Sequence, residues 1–194
     1  MEKLDELKKL AQEILKCTKC KLSLTRTNAV PGDGALNTDI ILVGEAPGAE
    51  EDRQALPFVG EAGKLLTSLL FSIGLSRTDV YITNIVKCRP PKNRDPTKEE
   101  ITTCLSYLRK QILLINPSII CTLGRVALKT LIDKKLSISN DHGKLKKIGK
   151  ITYLPLYHPA AALYNPKLKD TLCADIKILE KLIKKSKNNP NNAL

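Results

Sequence analysis

The 194-residue chain has no tryptophan, only two phenylalanines, two histidines and a single methionine. Where rings are this scarce, few are left over as core filler, and each has a claim to a defined place. There is no run of about 18 apolar residues, so no membrane-spanning helix is expected. The opening MEKLDELKKLAQEILKC is charged throughout and lacks the apolar stretch of a secretory signal, which leads us to expect an intracellular, cytoplasmic protein. Acidic residues are also in deficit. Twenty Asp and Glu face thirty-two Lys and Arg, a formal net charge of +12. Such an excess favours a polyanionic partner such as nucleic acid, because each Lys or Arg that meets a phosphate releases a condensed counterion. Solubility alone, or a basic tail without a ligand, is the plain alternative.

Apolar residues recur at helical spacing over Glu2–Lys16 and again over Ala62–Ile73, where Gly74 stops the pattern. Thr97 followed by Glu100 fits a capping box for a helix running to about Ile115, broken by Asn116–Pro117. Further helices are predicted over Gly124–Ile132 and Leu168–Lys185. Four short β-branched or apolar runs read as strands: Asp39–Val43, Val80–Val86, Ser118–Leu123 and Ile151–Leu156. This alternation predicts an α/β fold, a three-layer α/β/α sandwich around a mostly parallel four-stranded sheet. Residues 1–185 are expected to form one domain, followed by a polar tail over 186–194. Ligands of such sheets bind beyond the carboxyl ends of the strands. Gly44–Gly48, Asn84–Arg89 and His158–Ala160 all fall there, which makes them one candidate site.

Six cysteines in a reducing compartment suggest metal binding or burial rather than disulfides. Cys17 and Cys20 form a C-x-x-C pair, and Cys88 and Cys104 can close the same site from elsewhere in the fold. The spacing does not separate a tetrahedral zinc from an iron–sulfur cluster. Cys121, in a strand, and Cys173, in a helix, read as small buried hydrophobes.

Three segments carry the specific signal: GEAPGAEED at Gly44–Asp52 with PFVGEAG at Pro57–Gly63, TNIVKCRPPKNRDP at Thr83–Pro96, and YHPA at Tyr157–Ala160. In order, spacing and cysteine frame the chain resembles the family 4 uracil-DNA glycosylases from Cys17 to about Tyr164. The resemblance implies a monofunctional hydrolase of prokaryotic type. It would flip uracil out of single- or double-stranded DNA, hydrolyse its N-glycosidic bond to leave an abasic site, and so begin base excision repair. It also implies a structural 4Fe-4S cluster on Cys17, Cys20, Cys88 and Cys104.

By the same resemblance Phe58 stacks on the base, Asn84 reads it and His158 stands beside it. The chemistry gives each residue work. One side-chain amide accepts from uracil N3–H and donates to O4, whereas cytosine presents the reverse pattern. Charge that collects on uracil O2 as the bond breaks calls for donors: a neutral His158 and the backbone N–H groups of Glu45 and Ala46. Ala46 stands where the family 1 branch carries a water-activating aspartate, so backbone groups or Glu45 are left to order the water. The resemblance points to Glu51 as the barrier to thymine's methyl group, with Gly44 completing the pocket. The ordinary alternatives are a core ring for Phe58, a turn residue for Asn84 and a charged helix start for Glu50–Asp52.

Lys87, Arg89, Lys92 and Arg94 form a proline-punctuated basic loop suited to DNA phosphates, and Leu163 or Tyr164 suits a wedge into the vacated stack. His142 reads as a solvated loop residue. A monomer is expected, and a sliding clamp is a candidate recruiter. Three other classes stay open: a zinc-stabilised nucleic-acid-binding module, an iron–sulfur electron carrier, and a glycosylase for other deaminated bases.

Overall fold

The computed structural model describes residues 2–187. In chain order the elements are α1 (Glu2–Leu15), β1 (Asp33–Gly34), β2 (Ile40–Gly44), α2 (Ala49–Gln54), α3 (Glu61–Ser72), β3 (Tyr81–Asn84) and α4 (Lys98–Ile115). They continue with β4 (Ile119–Leu123), α5 (Arg125–Leu131), α6 (Ile138–Asp141), β5 (Lys146–Ile148), β6 (Ile151–Leu156), α7 (Pro159–Leu163) and α8 (Pro166–Lys187).

The sheet runs in the order β1-β3-β2-β4-β6-β5. Its four central strands are parallel and are the four read from the sequence. The expected count of four is corrected to six, because β1 and β5 add antiparallel edges. Those edges are two and three residues long, too short to show an alternating pattern.

Side-chain alternation along the central strands sorts the core onto two faces. Ile41, Val43, Ile120 and Tyr153 meet α1, α4 and α5 through Leu7, Leu10, Ile14, Tyr107, Leu108 and Ala127. Ile40, Leu42, Ile119, Leu123, Leu154 and Leu156 meet α3, α7 and α8 through Leu66, Leu70, Ala162, Leu172 and Ile176. The result is the three-layer sandwich that the alternation of strands and helices implies. α4 begins as expected: Thr97 Oγ1 accepts from the Glu100 amide, and the Glu100 carboxylate accepts from Thr97 N at 2.7 Å. The last helix runs two residues beyond Lys185, and the remainder of the expected tail, 188–194, lies outside the described residues. No helix among the described residues is long and apolar enough to cross a membrane.

Candidate active site

β2, β3, β4 and β6 all end on the same side of the sheet. The ends and continuations of β2, β3 and β6, with Phe58 and the loop at 90–94, enclose a cleft of about 330 Å³. That is within the range of small-molecule sites. Its walls include Glu45, Ala46, Glu51, Phe58, Asn84 and His158, so the structure brings together residues read from three separate motifs. Gly44 lies directly behind them. A Cβ on Gly44 would come within 2.6 Å of the Phe58 ring and closer still to Asn84 Oδ1.

Parallel pairing of β2 and β3 sets Gly44 beside Asn84 and continues into Ile85 N→Gly44 O, 2.9 Å. Asn84 is 1 % exposed, and its Oδ1 is buried without a hydrogen-bond partner. An unpaired buried acceptor costs about 1–3 kcal/mol, so its presence at a cleft wall points to a ligand donor.

Phe58 sits at φ +52°, in the left-handed region that side chains with a Cβ seldom occupy. Glu51 anchors this loop. Its carboxylate accepts from Gly48 N at 3.1 Å, Val59 N at 2.8 Å and Gly60 N at 2.9 Å. Glu51 thus both lines the cleft and joins the start of α2 to the loop that carries the ring.

The His158 ring lies 5.5 Å from that of Phe58. His158 Nδ1 accepts from Ala160 N at 3.1 Å, which leaves the ring proton on Nε2. Burial, opposed by the Glu51 charge, pulls its pKa down to about 4, so the imidazole is neutral at ordinary pH. Glu45 is shifted the other way, up to about 7. Burial is the main cause, the Asp95 carboxylate adds to it, and Arg125 opposes it. Asp95 is itself paired with Arg125. Sequence reading missed Asp95 and Arg125 in this role, because the loop before α4 and the start of α5 are both remote in sequence from Glu45 and only the fold brings them near it.

The basic loop divides. Arg94 reaches the cleft while its guanidinium grips the Glu100 carboxylate at 2.7 and 2.8 Å. Arg89 bonds Asn93, and Lys92 is exposed. Lys87 corrects the expectation: it is 1 % exposed and points into the fold. Its ammonium donates to Thr83 Oγ1 at 2.6 Å, Gln111 Oε1 at 2.7 Å and Asn84 O at 2.9 Å, so it cannot reach a phosphate. His142 is also corrected. It is partly buried, bonded to Asp175 at 2.7 Å and packed against Tyr157. At the end of α7, Tyr164 is 90 % exposed and Leu163 41 %.

Cys17, Cys20, Cys88 and Cys104 line one small cavity between α1, α4 and the segment after β3. Cys121 is buried in β4 as expected, and Cys173 is only partly covered. Donors turn toward the quartet: Arg26 Nη1 to Cys88 Sγ at 2.9 Å and Lys87 N to Cys104 Sγ at 3.3 Å. Burial pushes the Cys88 thiol up to about 11, with the Arg26 guanidinium opposing it, and raises Cys104 as well, with Lys87 opposing. Among the described residues no three His, Cys, Asp or Glu side chains are grouped to grip a single ion.

Comparison with known proteins agrees with this architecture. A model described as the uracil DNA glycosylase superfamily matches residues 31–182. The chain is 50 % identical over 188 residues to the type-4 uracil-DNA glycosylase of Sulfurisphaera tokodaii, covering 92 % of this chain and 86 % of that protein. It is 47 % identical over 190 residues to that of Archaeoglobus fulgidus, covering 94 % of each. A type-5 uracil-DNA glycosylase from Pyrobaculum aerophilum is 36 % identical over 154 residues, covering 70 % of this chain and 67 % of that protein.

Proposed function

This chain belongs to the uracil DNA glycosylase superfamily, and within it to the type-4 uracil-DNA glycosylases, and we propose that it releases uracil from DNA at the cleft described above. The observation that carries the reading is the buried, unpartnered Oδ1 of Asn84 at the cleft wall. Uracil N3–H supplies the missing donor, and O4 accepts from the same amide. Cytosine offers no hydrogen at N3 and puts a donor where O4 would be, so it leaves the amide mismatched.

A base leaves the stack at a cost of a few kcal/mol, recovered partly by stacking on Phe58. The bond from N1 to the sugar then breaks, and its electron pair stays with the uracil. Nε2–H of neutral His158, with the Glu45 and Ala46 amides, stabilises the charge on O2. Such donors are worth roughly 3–4 kcal/mol each in comparable sites. Water, oriented by the Glu45 carboxylate, adds to the sugar carbon, and its proton passes through solvent to the uracil anion. Gly44 keeps the pocket open, Glu51 stands against a C5 methyl, and Arg89, Lys92 and Arg94 meet phosphates. Tyr164 or Leu163 fills the gap left in the stack. One subunit supplies every one of these groups, and the described chain works as a single catalytic unit.

The quartet Cys17, Cys20, Cys88 and Cys104 would hold a four-iron, four-sulfur cluster. Its four thiols around one cavity, with cationic and amide donors turned toward them, support that reading. When bound, the cluster supplies a rigid cross-link between α1, α4 and the loop that carries the phosphate contacts.

The test is alkali cleavage of labelled oligonucleotides carrying one uracil, cytosine or thymine, with the purified, cluster-loaded protein. Cleavage at uracil alone, lost in Asn84→Ala and His158→Ala proteins, is expected. No cleavage at uracil would remove the assignment and favour a DNA-binding module.

A further inference from the structure

Phe58 holds a backbone conformation that its residue type disfavours, at φ +52°. Non-glycine residues persist there only where the surroundings over-determine them. Glu51 restrains the loop from the cleft side, through the amides of Val59 and Gly60. The restraint from the opposite side comes from Arg77, in the turn between α3 and β3. Its Nη1 donates to Phe58 O at 2.9 Å and its Nη2 to Pro57 O at 2.7 Å. Gly63 of α3 completes the seat, because a Cβ there would collide with the Phe58 carbonyl.

Arg77 does not line the cleft. It touches the loop from a shallow depression behind Phe58, shared with Val59 and Gly63. The Asp33 carboxylate is 3.9 Å away, beyond hydrogen-bond range, and the two carbonyls at 2.9 and 2.7 Å are the closer partners. A planar guanidinium can hold two adjacent carbonyls at once, whereas an ammonium is a point donor.

We propose that Arg77 is a positioning residue for base recognition: its two-carbonyl clamp, opposed by Glu51, holds Phe58 in the left-handed conformation that aims its ring into the cleft. The inference rests on the stacking role proposed for Phe58. Because Arg77 lies outside the cleft and its guanidinium donates to the carbonyls of Pro57 and Phe58, it acts through Phe58 and not on the base.

Two measurements on the full chain test this, using Arg77→Met and Arg77→Lys. The first is amide hydrogen exchange followed by NMR without DNA. In Arg77→Met, Val59 and Gly60 should exchange at least about tenfold faster while β2 and α8 keep their protection. The second is the single-turnover rate of uracil release in a double-mutant cycle with Phe58→Ala. Arg77→Met should slow release by about 10- to 100-fold in the parent chain. It should add nothing once Phe58 is alanine, and Arg77→Lys should fall between. Unchanged exchange at Val59 and Gly60 overturns the clamp. Equal losses in both Phe58 backgrounds overturn its action through Phe58 and leave a purely structural arginine. A parent chain that releases no uracil overturns the proposed function instead, and the exchange measurement still decides the clamp.

Discussion

At His158 the Ala160 amide occupies Nδ1, so the ring proton sits on Nε2, and burial keeps the imidazole neutral down to about pH 4. In the unfolded chain a histidine takes up its proton near pH 6.5. Between those values the unfolded state holds more protons than the folded one, so stability rises with pH. Acidification from 6.5 to 4 therefore removes stability, and His158→Gln should lose less Tm across that window than the parent. Parallel melting curves would contradict the assignment. Glu45, raised to about 7, has the opposite consequence for rate. If its carboxylate orients the water, single-turnover release climbs through pH 7 and levels above it, and Glu45→Gln is both slower and flat over that range. A Glu45→Gln protein with the parent's profile would take Glu45 out of the mechanism.

The elements place these groups by register. Pairing of β2 with β3 sets Gly44 against Asn84, and the absence of a side chain at Gly44 is what lets the amide and the Phe58 ring share one wall. Gly44→Ala should therefore cut uracil release at least about 100-fold, since even small misplacements at a reacting site carry that cost. Release near the parent rate would mean that the ring and amide have room to give. Much of this was legible in the sequence. Ile40–Val43, Ile119–Leu123 and Ile151–Leu156 are short runs dominated by apolar and β-branched residues, as suits a covered parallel sheet, and their ends located the motifs. The two edge strands and the short helix α6 were not, because segments of two to four residues carry too little periodicity, and α2 was legible only as a charged helix start at Glu50–Asp52. Arg77, Asp95 and Arg125 were illegible for a different reason. Each acts on a residue distant in sequence, and nothing local in the chain marks that meeting.

For the whole molecule the net charge of +12 is a statement about DNA, but only some of it faces outward. Sequence reading placed Lys87 with its basic neighbours because a run of cations does not say which one turns in. Its ammonium instead ties Thr83, Asn84 and Gln111 together beneath the cleft. The two lysines should separate cleanly. Lys92→Ala should reduce the slope of log affinity against log salt by about one while leaving Tm unchanged. Lys87→Met should leave the slope alone and lower Tm, since each acceptor left unpaired costs about 1–3 kcal/mol. A changed slope in Lys87→Met would return that residue to the DNA surface.

Recognition of uracil depends most on Asn84 reading its N3 edge. Release from two otherwise identical oligonucleotides, one carrying uracil and the other N3-methyluracil, tests this directly. The methyl group removes the one hydrogen that Asn84 Oδ1 lacks a partner for, leaving O2 and O4 in place. Release of uracil with rejection of the methylated base by about 10⁴-fold or more is expected of a site built around that hydrogen bond. Comparable release of both bases would contradict it.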